Sequence, residues 1–481
     1  MSYEATFQSL SAYRIPDWFQ NAKFGIFIHW GPFSVPAFGG KRDNLVGGNG
    51  VWYQYAMYRE GSETFDHHKK TWGDQKTFGF KDFIPLFKGE KFDAGQWVDV
   101  FKKSGARYVV PVADYHDGFP MFDCSYSGDW TSVKKGPRRD VVGELAQAAR
   151  KAGMHFGASS HRAYQWHFYK FDERFDTVDP ENEGLYGRIH PEDAPQDRAF
   201  LDNWNARTRE LVEKYELDII WFDFGWEDPA FDRERTKFLA WYYNWAEQHG
   251  KEVVLQSKGE FPLNMAVFDV ERGGLEEQSP HFWQTDTSLS KKSWCFDHDD
   301  ELKTPKQVID QLVDVVSKNG GLLLNVGPKP DGTIPQDQKD ILMEIGLWLS
   351  VNGEAIYDSR PWWVYGEGDP NWVEKAREGT SYGAFSDSDT PPMTAKLIRY
   401  TQRNPFLYAI VMGRPVRTVS LRRLAKDSAY YPGEIESIEI LGVPGSVSWH
   451  RDDSGLHIVF PDELPQPGHA YTVKIIPKSS S

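Results

Sequence analysis

The run Leu217 to Trp226, LDIIWFDFGW, is apolar and β-rich until it stops on one carboxylate, Asp223, set among aromatic residues. An isolated ionised carboxylate is costly to bury unless it is paired or hydrogen-bonded, so an aspartate in this setting either faces a site or caps the next helix. Other residues with useful chemistry fall at or just past the ends of other apolar runs: His29 with Trp30, Asp114 with Tyr115 and His116, then His161, Trp221 beside Asp223 itself, Lys258, Glu271 and Trp294. The set combines carboxylates, imidazoles, an ammonium and aromatic walls. Two carboxylates in one cleft can cleave a glycosidic bond, one as nucleophile or base and the other as proton donor. Aromatic faces suit the apolar side of a sugar ring. Each residue also has an ordinary structural explanation: His29 as a satisfied core histidine, Glu271 as the partner of Arg272, Trp294 as plain core. The set holds no trio of histidine and carboxylate ligands at close helical spacing, so the sequence requires no metal. Ser159 and Ser160 precede His161 without the G-x-S-x-G elbow that exposes a hydrolase serine.

These residues share a site only if the elements carrying them converge. Short β-rich runs alternate with helical patterns along the first 350 or so residues, the mark of β/α units around a parallel sheet. Candidate strands cover 24–30, 108–114, 155–161, 217–224, 252–257, 266–271, 293–296 (SWCF) and 321–326. Eight strands make a closed barrel, whose C-terminal strand ends open into one shared mouth. Val308, Leu312, Val315 and Val316 recur at helical spacing before Asn319-Gly320, and Ile341, Ile345, Trp348 and Leu349 repeat the pattern from Gln336 to Val351. Neither the dinucleotide G-x-G-x-x-G after the first strand nor a P-loop occurs. Beyond Asn352 the texture changes to short strands at 407–413, 418–423, 436–442, 456–460 and 471–476, separated by Gly, Pro, Asp and Ser, which suggests a β-sandwich. The break falls between Tyr357 and Trp372. The expected organisation is thus an α/β chain with a (β/α)8-like barrel over 1–357 and a C-terminal antiparallel β-sandwich domain over 358–481.

Composition narrows the partners. The net charge is −15 over 481 residues, which argues against nucleic acid or an anionic membrane as partner. Aromatic residues make up 15% of the chain, 19 of them Trp, enough to furnish both a core and a sugar cleft. The only cysteines, Cys124 and Cys295, form no metal spacing and no disulfide framework. The N-terminal residues show no basic region followed by an apolar one, which points to a cytoplasmic protein. Homo-oligomerisation is left open.

Four segments carry a resemblance: WFQNAKFGIFIHWGPFSVPAF (18–38), YHDGF (115–119), WFDFGW (221–226) and NGGLLLNVGPKPDGTIP (319–335) are similar to motifs of the α-L-fucosidases of glycoside hydrolase family 29. The resemblance spans about Trp18 to Trp362. It implies a catalytic barrel, a C-terminal β-sandwich, no cofactor, and hydrolysis of terminal α-L-fucosides of oligosaccharides or glycoconjugates with retention of configuration. It also implies roles: Asp223 as nucleophile with Trp221 beside it, Glu271 as acid/base with Glu260, Glu276 and Glu277 as rivals, His29 and His116 on the sugar hydroxyls, and Trp52 and Trp294 lining the sugar pocket. Some positions depart from the family pattern. Tyr115 stands where a histidine usually binds sugar, Val51 replaces a glutamate before Trp-Tyr, Lys258 lies near the usual arginine, and His161 sits where tyrosine and serine are more usual, placed to supply the lost polar contact. These changes bear on sugar and leaving-group preference.

Overall fold

The computed structural model describes residues 2–43, 45, 50–368, 384–387 and 390–478. Its first sheet is a closed barrel in which every neighbouring pair runs parallel: β1 (Phe24–Ile28), β2 (Tyr108–Asp114), β3 (His155–Ser160), β4 (Ile219–Phe222), β5 (Val254–Ser257), β6 (Val267–Asp269), β7 (Trp283–Ser288) and β8 (Gly320–Val326), with β8 returning to β1. Strands buried on both faces need apolar side chains throughout, which is why β1 and β8 read as continuous apolar runs. Where the chain must make room, it omits a side chain: a Cβ on Gly25 would lie 2.2 Å from the ring of Tyr108.

Seven of the eight expected strands coincide with observed ones. The exception is SWCF at 293–296, which is loop; the seventh strand is WQTDTS, ten residues earlier. Two of its polar residues are satisfied inside the barrel, Gln284 accepting from the Tyr108 hydroxyl at 2.8 Å and Thr285 donating to the Val270 carbonyl at 2.7 Å. A search for apolar runs overlooks such a strand.

Helices cover the outside. The helix Pro305–Ser317 starts with a capping box between Thr304 and Gln307 and with proline in its first turn, and Asn319 (φ 73°) ends the turn that follows it. The helix Gln336–Asn352 follows β8 and buries Leu342, Ile345, Trp348 and Leu349.

Beyond it lie two antiparallel sheets. A five-stranded sheet has the order β13 (Ile435–Ile440), β16 (Tyr471–Pro477), β11 (Phe406–Val411), β10 (Ile398–Arg403), β9 (Arg360–Glu367), and a three-stranded sheet has β12 (Thr418–Leu421), β15 (Gly455–Val459), β14 (Ser448–Asp452). They share one apolar core that includes Tyr400, Leu407, Leu421, Leu456, Ile458 and Val473. The other face of the larger sheet, through Tyr408, Ile410 and Met412, joins the barrel's own core cluster. Trp348 adds a hydrogen bond to the Ala470 carbonyl at 2.9 Å, and Arg399 pairs with Asp314 at 2.7 Å. The last barrel-side helix ends at Asn352 and β9 starts at Arg360; Trp372, the far edge of the expected break, lies outside the described residues. No helix among the described residues is long and apolar enough to cross a membrane.

Candidate active site

β4 is buried along its whole length, and the chain delivers Asp223 immediately after its last residue, 7% exposed. Three cationic or hydrogen-bonding groups meet that carboxylate from other strand ends. His161, directly after β3, places Nδ1 2.9 Å from Asp223 Oδ2; His116, two residues past β2, places Nε2 3.1 Å from the same oxygen; Lys258, just past β5, brings Nζ within 3.3 Å of Oδ1. The same ammonium touches Glu271 Oε2, two residues past β6. One lysine therefore bridges two carboxylates across the mouth.

The electrostatics separate those carboxylates. At Asp223 burial favours the neutral acid, but Lys258, His161 and the hydrogen bonds from His116 and His161 outweigh it and hold the group well below the ordinary carboxylate range. At Glu271 burial dominates, and the negative charge of Asp223 adds to it against the pull of Lys258, so its pKa is raised. Lys258 itself is held well above its usual value: burial opposes the charge, and Glu271, Asp223, Asp286 and Asp269 together overcome that opposition.

The histidines have distinct environments. Asn325 Oδ1 accepts from both the His29 backbone N–H (3.0 Å) and its Nδ1 (2.8 Å), and burial drives the ring pKa well below the usual value. His29 is therefore neutral, with the Nε2 lone pair left to accept from a ligand hydroxyl. His161 donates from Nδ1 to Asp223, faces Ser159 Oγ at 3.0 Å with Nε2, and is pushed by burial down to about 4. His116 lies between two acceptors, the His161 carbonyl at 2.6 Å and Asp223.

Above them opens a cavity of about 520 Å³ lined by His29, Leu45, Val51, Trp52, Tyr55, Tyr115, His161, Tyr164, Trp221, Asp223, Phe224, Lys258, Glu271, Asp286, Trp294 and Phe385. Nine of the ten residues singled out in the sequence line it. The tenth, His116, is fully buried and stands behind Asp223, so its hydrogen-bonding capacity goes to the carboxylate and not to a sugar. Trp294 reaches the cavity from the loop after β7 and not from a strand. Glu260, Glu276 and Glu277 do not line it. Asp114 is withdrawn into a buried pair with Arg207 at 3.0 Å.

Two lining residues carry chemistry that sequence reasoning missed. Asp286 is the middle of β7, buried, with burial and the neighbouring Asp269 raising its pKa well above the usual value against the pull of Lys258; it brings a third carboxyl group to the cavity. Phe385 comes from the far side of the chain. Its backbone N–H donates to the Glu271 carbonyl at 2.8 Å, Ser386 and Asp387 donate to the Arg272 carbonyl at 2.8 and 2.9 Å, and Asp387 accepts from Lys303 at 2.6 Å while lying 3.5 Å from Arg272 Nε. No local pattern marks either Asp286, set in a run of five consecutive polar residues, or Phe385.

Among the described residues, two groups place three histidine or carboxylate ligand atoms within 4.8 Å of one another: His116, His161 and Asp223 here, and His450, Asp452 and His457 in the C-terminal sheets. At the first, the Lys258 ammonium already faces the second oxygen of the carboxylate.

A family model described as alpha-L-fucosidase matches residues 1–354. Human plasma alpha-L-fucosidase is 32% identical over 75% of this chain and 73% of its own length, and rat tissue alpha-L-fucosidase 30% identical over 98% and 92%. The crystal structure of Thermotoga maritima alpha-fucosidase superimposes with a TM-score of 0.79 at 29% identity, covering 98% of this chain and all of that one. The plasma and tissue relatives overturn the cytoplasmic location expected above. An N-terminus without a leader pattern reads alike in a cytosolic chain and in one already processed, so it carried no information on location. Barrel, cavity and these similarities agree: the chain belongs to the α-L-fucosidase family of glycoside hydrolases.

Proposed function

We propose that this protein removes terminal α-L-fucose from fucosylated oligosaccharides or glycoconjugates with retention of configuration, by double displacement through a covalent glycosyl-enzyme. The observation that carries the reading is the lysine-bridged pair, Asp223 held ionised and Glu271 held towards its acid form. Retaining glycosidases set their two carboxyl groups about 5 to 5.5 Å apart, and a shared ammonium keeps Asp223 and Glu271 close enough for that arrangement.

In the first step Asp223 attacks the anomeric carbon while Glu271 gives its proton to the departing glycosidic oxygen. The bond between sugar and aglycone breaks as the ester to Asp223 forms. Esterification removes the negative charge of Asp223, one of the causes that raise Glu271, so Glu271 becomes a weaker acid-form holder at the moment it must act as base. It then takes a proton from water, whose oxygen displaces Asp223 and releases fucose. No cofactor enters the scheme.

Around the ring, His29 Nε2 accepts from a sugar hydroxyl, Tyr115 supplies a further polar contact, and Trp52, Trp221 and Trp294 provide the apolar walls. His161, both of whose ring nitrogens are engaged by Asp223 and Ser159, acts through Asp223 and does not supply the polar contact expected of it. His116 acts through Asp223, and Lys258 holds both carboxylates in register. Residues 1–357 form the catalytic unit and 358–481 the C-terminal one, with Phe385 reaching back to the aglycone side, next to the proton donor. The Thermotoga maritima enzyme has been solved in complex with fucose and with a mechanism-based inhibitor, which supports a fucose-shaped pocket on this scaffold. The test is turnover of an aryl α-L-fucoside by Asp223→Asn and by Ala variants of Glu271, Glu260, Glu276 and Glu277. Only the changes at Asp223 and Glu271 are expected to suppress it; substantial turnover by Asp223→Asn removes the nucleophile assignment.

A further inference from the structure

We propose that the hairpin of β14 and β15 is a binding site for a divalent transition-metal ion, held by His450, Asp452 and His457. His450 and His457 are direct cross-strand partners, and their rings stack with centroids 4.6 Å apart and 20° between planes. Asp452, at the turn, lies 3.1 Å through Oδ1 from His457 Nε2 and 3.7 Å through Oδ2 from His450 Nε2. Zinc ligands at about 2.0 to 2.2 Å in a tetrahedral arrangement lie roughly 3.3 to 3.5 Å from one another, so these separations bracket the edge of a coordination tetrahedron.

The surroundings of His457 hold its ring in place to ligate. Its Nδ1 is 2.8 Å from Ser420 Oγ on the adjacent strand β12, a contact that fixes the ring and, with the hydroxyl as acceptor, makes Nε2 the ligating nitrogen. Ser454 Oγ lies 3.0 Å from that nitrogen and donates to Asp452 Oδ1 at 2.7 Å, and the backbone N–H groups of Ser454 and Gly455 orient the same carboxylate at 2.8 and 3.2 Å. In the other tautomer Nε2–H donates to Asp452, and a metal ion takes the place of that proton. His450 brings a second imidazole to the same point, and two imidazoles with one carboxylate suit Zn²⁺, Ni²⁺ or Cu²⁺. None of these residues lines the catalytic cavity, and the side chains of His450 and Asp452 are more than half exposed, so substitution there leaves the core intact.

The experiment is calorimetric titration of the full chain, without appended histidines, with ZnCl₂ and with NiCl₂, alongside hydrolysis of an aryl α-L-fucoside at one equivalent of ion. One ion per chain is expected, with binding at least about tenfold weaker in His450→Ala and in His457→Gln, and about tenfold weaker in Ser420→Ala through loss of ring orientation. Hydrolysis is expected to stay unchanged by one equivalent. Thermal denaturation checks that each variant is folded. Absence of one-to-one binding, or full affinity in the double variant His450→Ala/His457→Gln, overturns the proposal. So does an ion that suppresses hydrolysis in the wild type and the double variant alike, since that places it on Asp223, His116 and His161.

Discussion

Asp223 shows how a single side chain is tuned by its neighbours. Its charge is held by one ammonium and two imidazoles, and replacing it with asparagine keeps the shape while removing the proposed nucleophile. Hydrolysis of an aryl α-L-fucoside by Asp223→Asn should fall by roughly 10³-fold or more with an unchanged circular dichroism spectrum. The pH profile follows from the opposite shifts. Glu271 must carry its proton for the first step, so kcat/KM falls as pH rises through its raised pKa, and Glu271→Gln should lose that alkaline limb. Asp223 has a depressed folded pKa; its contribution to stability is complete above the ordinary aspartate value and disappears as pH falls through the folded one. Acid unfolding of Asp223→Asn should therefore show a flatter dependence over that window. Asp286 is the converse case. Burial and Asp269 raise its pKa, so Asp286→Asn should be tolerated in thermal denaturation, whereas Asp286→Lys should not. Asp223 was legible because an apolar strand stops on it; Asp286 was not, since it sits in a strand whose polar residues conceal its periodicity.

At the scale of elements, seven strands announced themselves as apolar runs because a barrel buries both faces of its sheet, and β7 escaped because five of its six residues are polar, Gln284 and Thr285 among them hydrogen-bonded inside the barrel. The arm at Phe385 escaped for a different reason: a contact between residues more than a hundred positions apart leaves no local mark. Both ends of that contact hold left-handed backbone, Arg272 at φ 48° and Phe385 at φ 58°, a conformation costing on the order of 1–3 kcal/mol per residue. The ion pairs of Asp387 with Lys303 and Arg272 secure it. Asp387→Ala strands two buried cations and should lower stability by about 3–5 kcal/mol, read as a drop in melting temperature. Phe385→Ala removes only the wall beside Glu271, the proposed proton donor. It should raise KM for fucosylated oligosaccharides several-fold more than for an aryl fucoside; equal effects on both substrates would remove Phe385 from the aglycone side.

The whole molecule is joined through one apolar face. Tyr408, Ile410 and Met412 of the larger C-terminal sheet belong to the barrel's core cluster, and Trp348 is bonded across the junction. A chain ending at residue 357 would expose the helices Pro305–Ser317 and Gln336–Asn352 along that face, so it should be aggregation-prone and melt well below the full chain by scanning calorimetry. The two-part organisation was legible from the change of texture beyond Asn352, where β/α alternation gives way to short strands separated by Gly, Pro, Asp and Ser. The tight junction was not, since it is built from side chains that also read as ordinary core. The chemistry proposed for barrel and arm together is retention at the anomeric carbon. Proton NMR of an aryl α-L-fucoside during the first turnovers tests it directly: α-L-fucose should appear first and mutarotate afterwards, and β-L-fucose as the first product would contradict the double displacement through Asp223.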